Sequence, residues 1–264
     1  MKAIKSICCA VLLTGCAATP DRSLGEAISE VVSGPESTTT EHFTFGDYSS
    51  SAWVSDKFTG EKSRRFIGNA LNFSVDQSHP EGGLDVGLSL DKPNTDPVSV
   101  AIKNLRVCSS YKTELTGEGR WWAGPKISVN WQGDEAAKQN GDDWYENYII
   151  ETASSTPDEL HDIYTGDYFK GEELPRTKIA GADYRHYKIR FHSWWQFWSV
   201  RQDYRTSGIV PIEPIVDIWV ANGLPAGRNF DGVKANIETY GSMSGRGTLR
   251  FQSSRDPGTA LTCE

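Results

Sequence analysis

From residue 43 onward, apolar residues come in short bursts rather than long stripes. Runs rich in Val, Ile, Phe, Tyr and Trp are broken by clusters of Gly, Pro, Asn and Asp. That texture predicts short strands joined by turns. The candidate strands are 70–75, 84–90, 98–107, 126–131, 144–151, 186–190, 194–202, 233–240 and 248–252. Only 213–222 has a helical rhythm. Ile215, Val216, Ile218, Trp219 and Val220 fit one amphipathic set, Pro211 and Pro214 stand near its start, and Gly223 follows as a stop. An all-β chain of this length predicts two antiparallel sheets packed as a β-sandwich or jelly roll. One short helix and a concave groove able to take an extended polymer complete the expected fold.

Alternation within three strands sharpens the picture, because successive side chains point to opposite faces. In 194–202, Trp194, Gln196, Trp198, Val200 and Gln202 share one face, with Trp195, Phe197, Ser199 and Arg201 on the other. Neither face is plainly apolar. The strand is either an aromatic core strand or the wall of a sugar-stacking cleft. In 144–151, Trp144, Glu146, Tyr148 and Ile150 share a face. A carboxylate between two rings is unusual in a strand, where Glu is depleted. It reads either as a rim residue paired with a cation or as a cleft acid. In 233–240 the alternation is clean: Val233, Ala235 and Ile237 face a core, and Lys234, Asn236, Glu238 and Tyr240 face away. Two glutamates meeting across a ring-lined groove are what glycoside cleavage requires, one to protonate the leaving oxygen and one to attack or to activate water. Their mutual repulsion would help keep one of them protonated.

The N-terminal residues have a different composition. Met1-Lys2-Ala3-Ile4-Lys5 is basic and 7–13 is apolar, a run too short to span a membrane permanently, so 1–15 reads as a signal peptide. Leu13-Thr14-Gly15-Cys16 resembles a bacterial lipobox, in which Cys16 is acylated; the alternative is a plain cleaved signal with an incidental cysteine. Ala17 in place of Asp then points to the outer membrane, on its periplasmic side or at the cell surface. Residues 16–41, rich in Ser, Thr, Pro, Gly and Glu, read as a flexible tether, leaving 42–264 as the folded domain. In an exported protein Cys108 and Cys263 are expected to form a disulfide. A net charge of −8 without a basic run argues against nucleic acid. No His/Cys cluster has zinc spacing, and there is no phosphate loop and no Ser/His/Asp motif.

Three blocks resemble the xylanases of glycoside hydrolase family 11. Glu146-Asn147-Tyr148-Ile149-Ile150-Glu151 is similar to that family's nucleophile block. Gln196-Phe197-Trp198-Ser199-Val200-Arg201-Gln202, continuing to Arg205-Thr206-Ser207-Gly208, is similar to its Gln-Tyr-Trp-Ser-Val-Arg-Gln block and the Arg-x-x-Gly after it. Ile237-Glu238-Thr239-Tyr240-Gly241-Ser242 is similar to its acid/base block. The order and the intervening helix agree, and His161-Asp162-Ile163-Tyr164-Thr165 resembles the segment leading into the family's thumb hairpin. The likeness spans roughly 126–252. Residues 42–125 match poorly and are expected to supply the outer strands.

The resemblance implies a monomeric, endo-acting, retaining hydrolase of a β-linked backbone such as β-1,4-xylan, needing no metal or cofactor. Glu146 would be the nucleophile and Glu238 the acid/base. Tyr148, Gln196 and Tyr240 would line the cleft, Trp144 or Trp198 would stack on sugar, and with alternation the resemblance implies that Trp195 and Phe197 pack inward. The departures fall on substrate-contacting parts. Val129 stands where the family has a cleft Tyr, 132–143 is a polar insertion, and 166–174 lacks the thumb's Arg and Pro-Ser-Ile tip. These departures leave two other classes open. One is a surface glycan-binding lipoprotein on the same scaffold. The other is a jelly-roll polysaccharide lyase, for which Tyr168, Lys170 and His186 could be recruited.

Overall fold

The structure, a computed structural model, describes residues 29–33, 41–90, 96–129, 145–191 and 194–263. Cys16, Trp131, the whole 132–143 insertion and Trp144 lie outside the described residues.

Two sheets are stacked face to face. The first runs β1 (Ser29–Ser33), β4 (Gly60–Ile67), β5 (Ala70–Gln77), β16 (Met243–Ser254), β7 (Arg106–Gly117) and β14 (Ser207–Pro211) in spatial order. β1 comes from the stretch read as a tether and pairs antiparallel with β4. The second runs β11 (Glu172–Ile179), β12 (Ala182–Phe191), β13 (Trp194–Arg201), β9 (Tyr145–Ile150), β8 (Arg120–Val129), β15 (Phe230–Tyr240), β6 (Gly83–Leu90), β3 (Tyr48–Val54) and β2 (Glu41–Phe45), with β10 (Thr152–Ala153) beside β8. The described pairs are antiparallel except β9 with β13, which is parallel. This is the jelly roll that the strand texture predicts.

Alternation sorts the residues as expected. Ala235 and Ile237 of β15, Ala123 and Ile127 of β8, and Val86 and Leu88 of β6 are buried against Phe66, Leu71, Phe73, Leu249 and Phe251 of the facing sheet. Each such Val, Leu, Ile or Phe side chain contributes about 1.5–3 kcal/mol by leaving water. The helix expected at 213–222 is α3 (Glu213–Ala221). It buries Ile215, Val216 and Trp219, and the Trp219 indole donates to Ser199 Oγ of β13 at 2.9 Å. Cys108 of β7 is bridged to Cys263, with Cα atoms 5.3 Å apart, which ties the C-terminal tail to the sandwich.

Four expectations need correction. The predicted strand 98–107 is split: Val98–Ala101 is a helical turn, α1, and β7 begins only at Arg106. The β-branched texture there reads as strand, but Pro97 opens the turn and Asn104, at φ 52°, closes it. Residues 42–125 are not merely outer strands, because β6 and β7 lie inside their sheets.

The segment 161–165 does precede a hairpin, β11 with β12, but not as a strand. It lies on a further helix, α2 (Pro157–Thr165), so the described chain has three helices rather than one. The physical reason is a capping box. Glu159 N–H donates to Thr156 Oγ1, Thr156 N–H donates back to the Glu159 carboxylate, and Pro157 occupies the first turn. Finally, Trp195 does not pack inward. It is half-buried beneath the cations of Lys188 and Arg190, 4.9 and 5.1 Å from its ring centroid.

Candidate active site

The groove-facing side of the second sheet carries the chemistry, and strand register decides which side chains meet. On β15, Glu238 stands opposite Asp85 of β6 and Trp122 of β8. Asn236, next on the same face, stands between Gly87 and Gly124, and Lys234 stands opposite Lys126. Lys126 is in turn opposite Tyr148 of β9, and Glu146 lies between Ser128 of β8 and Gln196 of β13. The two glycines leave room there, Gly124 because backbone lies in the way of a side chain and Gly87 because a side chain does. A Cβ on Gly87 would sit 2.5 Å from Lys234 Cδ, and one on Gly124 would sit 1.6 Å from the Ile149 carbonyl oxygen. With no side chain at 87, the Lys234 stem lies across that position.

A five-member charge cluster results. Lys126 Nζ lies 2.6 Å from Asp85 Oδ2, 3.0 Å from Glu146 Oε1 and 3.9 Å from Glu238 Oε2. Lys234 Nζ lies 3.1 Å from Asp85 Oδ1 and 3.3 Å from Ser51 Oγ. Burial alone would disfavour every one of these charges. It works against the Lys126 ammonium, but Asp85 and Glu146 outweigh it and hold the Lys126 pKa well above the usual lysine range. Burial likewise opposes the Asp85 charge, and the two lysines overcome it and pull that carboxyl below its ordinary range. Lys234, more weakly paired, is lowered by burial.

The two glutamates are placed unequally. Glu146 Oε2 accepts long hydrogen bonds from Gln196 Nε2 at 3.4 Å and from the Tyr148 hydroxyl at 3.5 Å, and Oε1 faces the Lys126 cation. Trp198 Nε1 donates to Gln196 Oε1 at 3.0 Å, which turns the Gln196 amide nitrogen toward Glu146. Glu238 Oε2 is buried with no hydrogen-bond partner. Burial pushes the Glu238 pKa up to about 7; Lys126 opposes the rise, and the negative charges of Asp85 and Glu146 add to it. Sharing one ammonium, the two carboxylates have oxygens no more than about 7 Å apart, a span that includes the 5–5.5 Å of retaining pairs and the lower edge of the inverting range.

The rings are placed as floor and rim. Tyr148 is buried and stacks on Trp198, centroids 4.2 Å apart. Burial lifts its hydroxyl pKa well above 10, so it stays a donor. Trp198 is itself buried, with Tyr164 of α2 at 4.7 Å and Trp122 edge-on at 5.4 Å. It forms the floor and does not present a free face. Tyr240 is 49% exposed and Tyr168, just after α2, 74% exposed; both line the groove. Val129 is in the hydrophobic core, so it is not the counterpart of a cleft Tyr; β8 faces the groove with Trp122, Lys126 and Ser128.

The three residues considered for lyase chemistry are not brought together. His186 is fully buried on the other side of the sheet, between Ser199 Oγ at 2.7 Å and Thr177 Oγ1 at 2.8 Å, whereas Tyr168 lines the groove. Glu151 is buried in an ion pair with Arg205 and accepts from the Tyr184 hydroxyl at 2.7 Å. Among the described residues no three His, Cys, Asp or Glu side chains are grouped to hold a metal.

Sequence reasoning missed Asp85 and Lys126 altogether, and placed Lys234 only on a polar face. A signal existed. Asp85 interrupts the apolar run Leu84-Asp85-Val86 in a predicted strand, and Lys126 opens another.

No protein-family model matches the chain, and no curated protein matches it by sequence. Solved structures do match its fold. A family 11 xylanase from Neocallimastix patriciarum superposes with a TM-score of 0.64 at 17% identity, covering 86% of this chain and 99% of that one. The wild-type ENZbleach xylanase gives 0.63 at 17% identity over 90% and 91% of the two chains. The chain therefore has a xylanase-like jelly-roll fold with a strongly divergent sequence.

Proposed function

We propose that the protein is an endo-acting, retaining glycoside hydrolase that cleaves a β-linked polysaccharide backbone, with β-1,4-xylan the substrate its fold favours. The observation that carries this reading is the unequal pair in one groove. Glu146 is held against a cation, and Glu238 is buried with a pKa near 7. Glu146, ionised, attacks the anomeric carbon. Glu238, protonated, gives its proton to the departing oxygen and then takes one from water. Gln196 and Tyr148 orient the nucleophile through their hydrogen bonds to it. The exposed rings of Tyr240 and Tyr168 offer stacking faces for sugars entering the groove. That the structural neighbours are xylanases supports the substrate class. Acylation of Cys16 would anchor the enzyme to the outer membrane, as a monomer acting on polysaccharide near the cell.

A polysaccharide panel tests this reading. Wild type is expected to release new reducing ends from β-1,4-xylan without absorbance from unsaturated sugars, and Glu146→Gln is expected to abolish the release. Unsaturated products would instead establish a lyase.

Two observations favour a second reading, a surface glycan-binding lipoprotein. α2 occupies the segment that resembles the approach to the family's thumb hairpin, and Lys126 occupies the nucleophile's Oε1. Retained xylan binding with no turnover by wild type would decide for it.

A further inference from the structure

Lys126 stands on the groove floor between the two glutamates. Its ammonium is almost fully buried, its side chain being 6% exposed, and it is anchored by Asp85 at 2.6 Å. From that anchor it reaches both carboxylates, 3.0 Å from Glu146 and 3.9 Å from Glu238. Burying a lysine among strands costs several kcal/mol unless partners compensate. A structural ion pair would need only Asp85. The position between the two glutamates points to a task in the reaction.

During glycosylation a Glu146 oxygen forms a bond to the anomeric carbon, and the bond from that carbon to the leaving oxygen breaks. The leaving oxygen takes its electron pair together with the Glu238 proton. One negative charge has then disappeared from Glu146 and one has appeared on Glu238. In deglycosylation, water adds to the anomeric carbon and gives a proton to Glu238. The ester bond breaks, and its electrons return to Glu146. Negative charge thus crosses the groove and returns in each cycle. A single cation whose distances to the two sites differ by 0.9 Å can follow it by tilting about Asp85.

Resting on the hydrolase reading above, we propose that Lys126, pivoting on Asp85, is a positioning residue that hands its ion pair from Glu146 to Glu238 as the glycosyl–enzyme bond forms and takes it back as water cleaves that bond. The charged and titratable groups facing it are Asp85 of β6, Glu146 and Tyr148 of β9, and Lys234 and Glu238 of β15. Tyr164 of α2 lies within electrostatic reach of Glu238. Lys234 cannot substitute, because its ammonium is tied to Asp85 and Ser51.

The experiment compares rates on soluble β-1,4-xylan and on an aryl β-xylobioside from pH 4 to 9. It uses detergent-solubilised full-length wild type, Lys126→Met, Lys126→Arg, Asp85→Asn/Lys126→Met and Glu146→Gln. Without the cation, the alkaline limb of Lys126→Met, which Glu238 sets, is expected to move upward by about one unit, because Glu238 loses the charge that favours its ionised form. The double variant is expected to move in the same direction, since Lys126 acts on Glu238 more strongly than Asp85 does. kcat is expected to fall about tenfold or more with KM changed by less than about threefold, and Lys126→Arg to bring the alkaline limb back. The double variant replaces Lys126→Met if the latter does not fold, since it removes the buried pair together. Wild-type limbs and kcat in a folded variant lacking the lysine, or a loss confined to KM, would overturn the proposal while leaving the hydrolase reading intact. Full turnover by Glu146→Gln, or none by wild type, would overturn both.

Discussion

Asp85 Oδ2 sits 2.6 Å from Lys126 Nζ with both side chains almost fully buried. Asp85 is also the anion to which Lys234 is bound. Removing it leaves two ammonium groups facing one another across β8 and β15. Asp85→Ala is therefore expected to destabilise the fold by about 3–5 kcal/mol, the cost of breaking rather than replacing a buried pair. Guanidinium unfolding with fitted midpoints and slopes measures this. A change below about 1 kcal/mol would mean that water or another anion compensates the lysines.

Two glycines opposite the same residue give unlike predictions. At Gly87 the obstacle is the Lys234 stem, which can swing aside; at Gly124 it is the Ile149 carbonyl of the neighbouring strand. Gly87→Ala is expected to cost about 1 kcal/mol, and Gly124→Ala at least the 1–3 kcal/mol typical of overpacking. Thermal unfolding of the two variants side by side should rank them in that order, and the reverse ranking would contradict this account of the groove floor.

Much of this architecture was readable from sequence, for reasons visible in single strands. β15 alternates Ala235 and Ile237 inward with Lys234 and Glu238 outward, and a period of two is local information. The positions of the two glutamates followed from the same rule. What alternation cannot give is the partner across the strand. Asp85 and Lys126 meet only because β15 lies between β6 and β8 and because residues 87 and 124 lack side chains. α2 is a different kind of miss, since Thr156-Pro157-Asp158-Glu159 is a local helix-start signal, overridden by the likeness of 161–165 to a thumb approach. Trp195 misled because it lies at the start of β13, where its face is covered by Lys188 and Arg190, while Phe197 and Ser199 further along are fully buried.

That cap is testable. Thr156→Ala removes the Oγ1 that accepts from Glu159 N–H and is expected to cost about 0.5–2 kcal/mol. Because α2 holds Tyr164 against Trp198, the loss should loosen the groove floor as well. Near-ultraviolet circular dichroism and hydrogen exchange of 157–165 should change together, and unchanged exchange there would sink the coupling.

His186 predicts acid sensitivity. Burial lowers its pKa from 6.5 to about 4, and its ring bridges Ser199 and Thr177. The folded state therefore binds this proton less readily than the unfolded chain. Its contribution is whole above pH 6.5, declines as pH falls from 6.5 toward 4, and levels off below. The lost stability amounts to a few kcal/mol, order ~3. Stability curves of wild type and His186→Gln between pH 7 and 4 should differ in slope; parallel curves would remove His186 as the cause.

The roles of the two glutamates can be separated by chemistry that depends on where each one stands. Glu238 must be protonated to assist departure of a sugar oxygen, and its pKa lies near 7, so turnover of xylan should fall as pH rises through about 7. A dinitrophenyl glycoside leaves without protonation, so its first step should not show that limb. In Glu238→Gln the glycosyl–enzyme should form from this substrate and then stall for want of a base. Azide needs no base, and should restore turnover about tenfold or more while giving the β-glycosyl azide. In Glu146→Gly the attacking carboxylate is gone, so azide should enter directly from the opposite face and give the α-glycosyl azide. Product anomers read by proton NMR decide the assignment: interchanged products would exchange the two roles, and no azide product from either variant would contradict a covalent intermediate on Glu146.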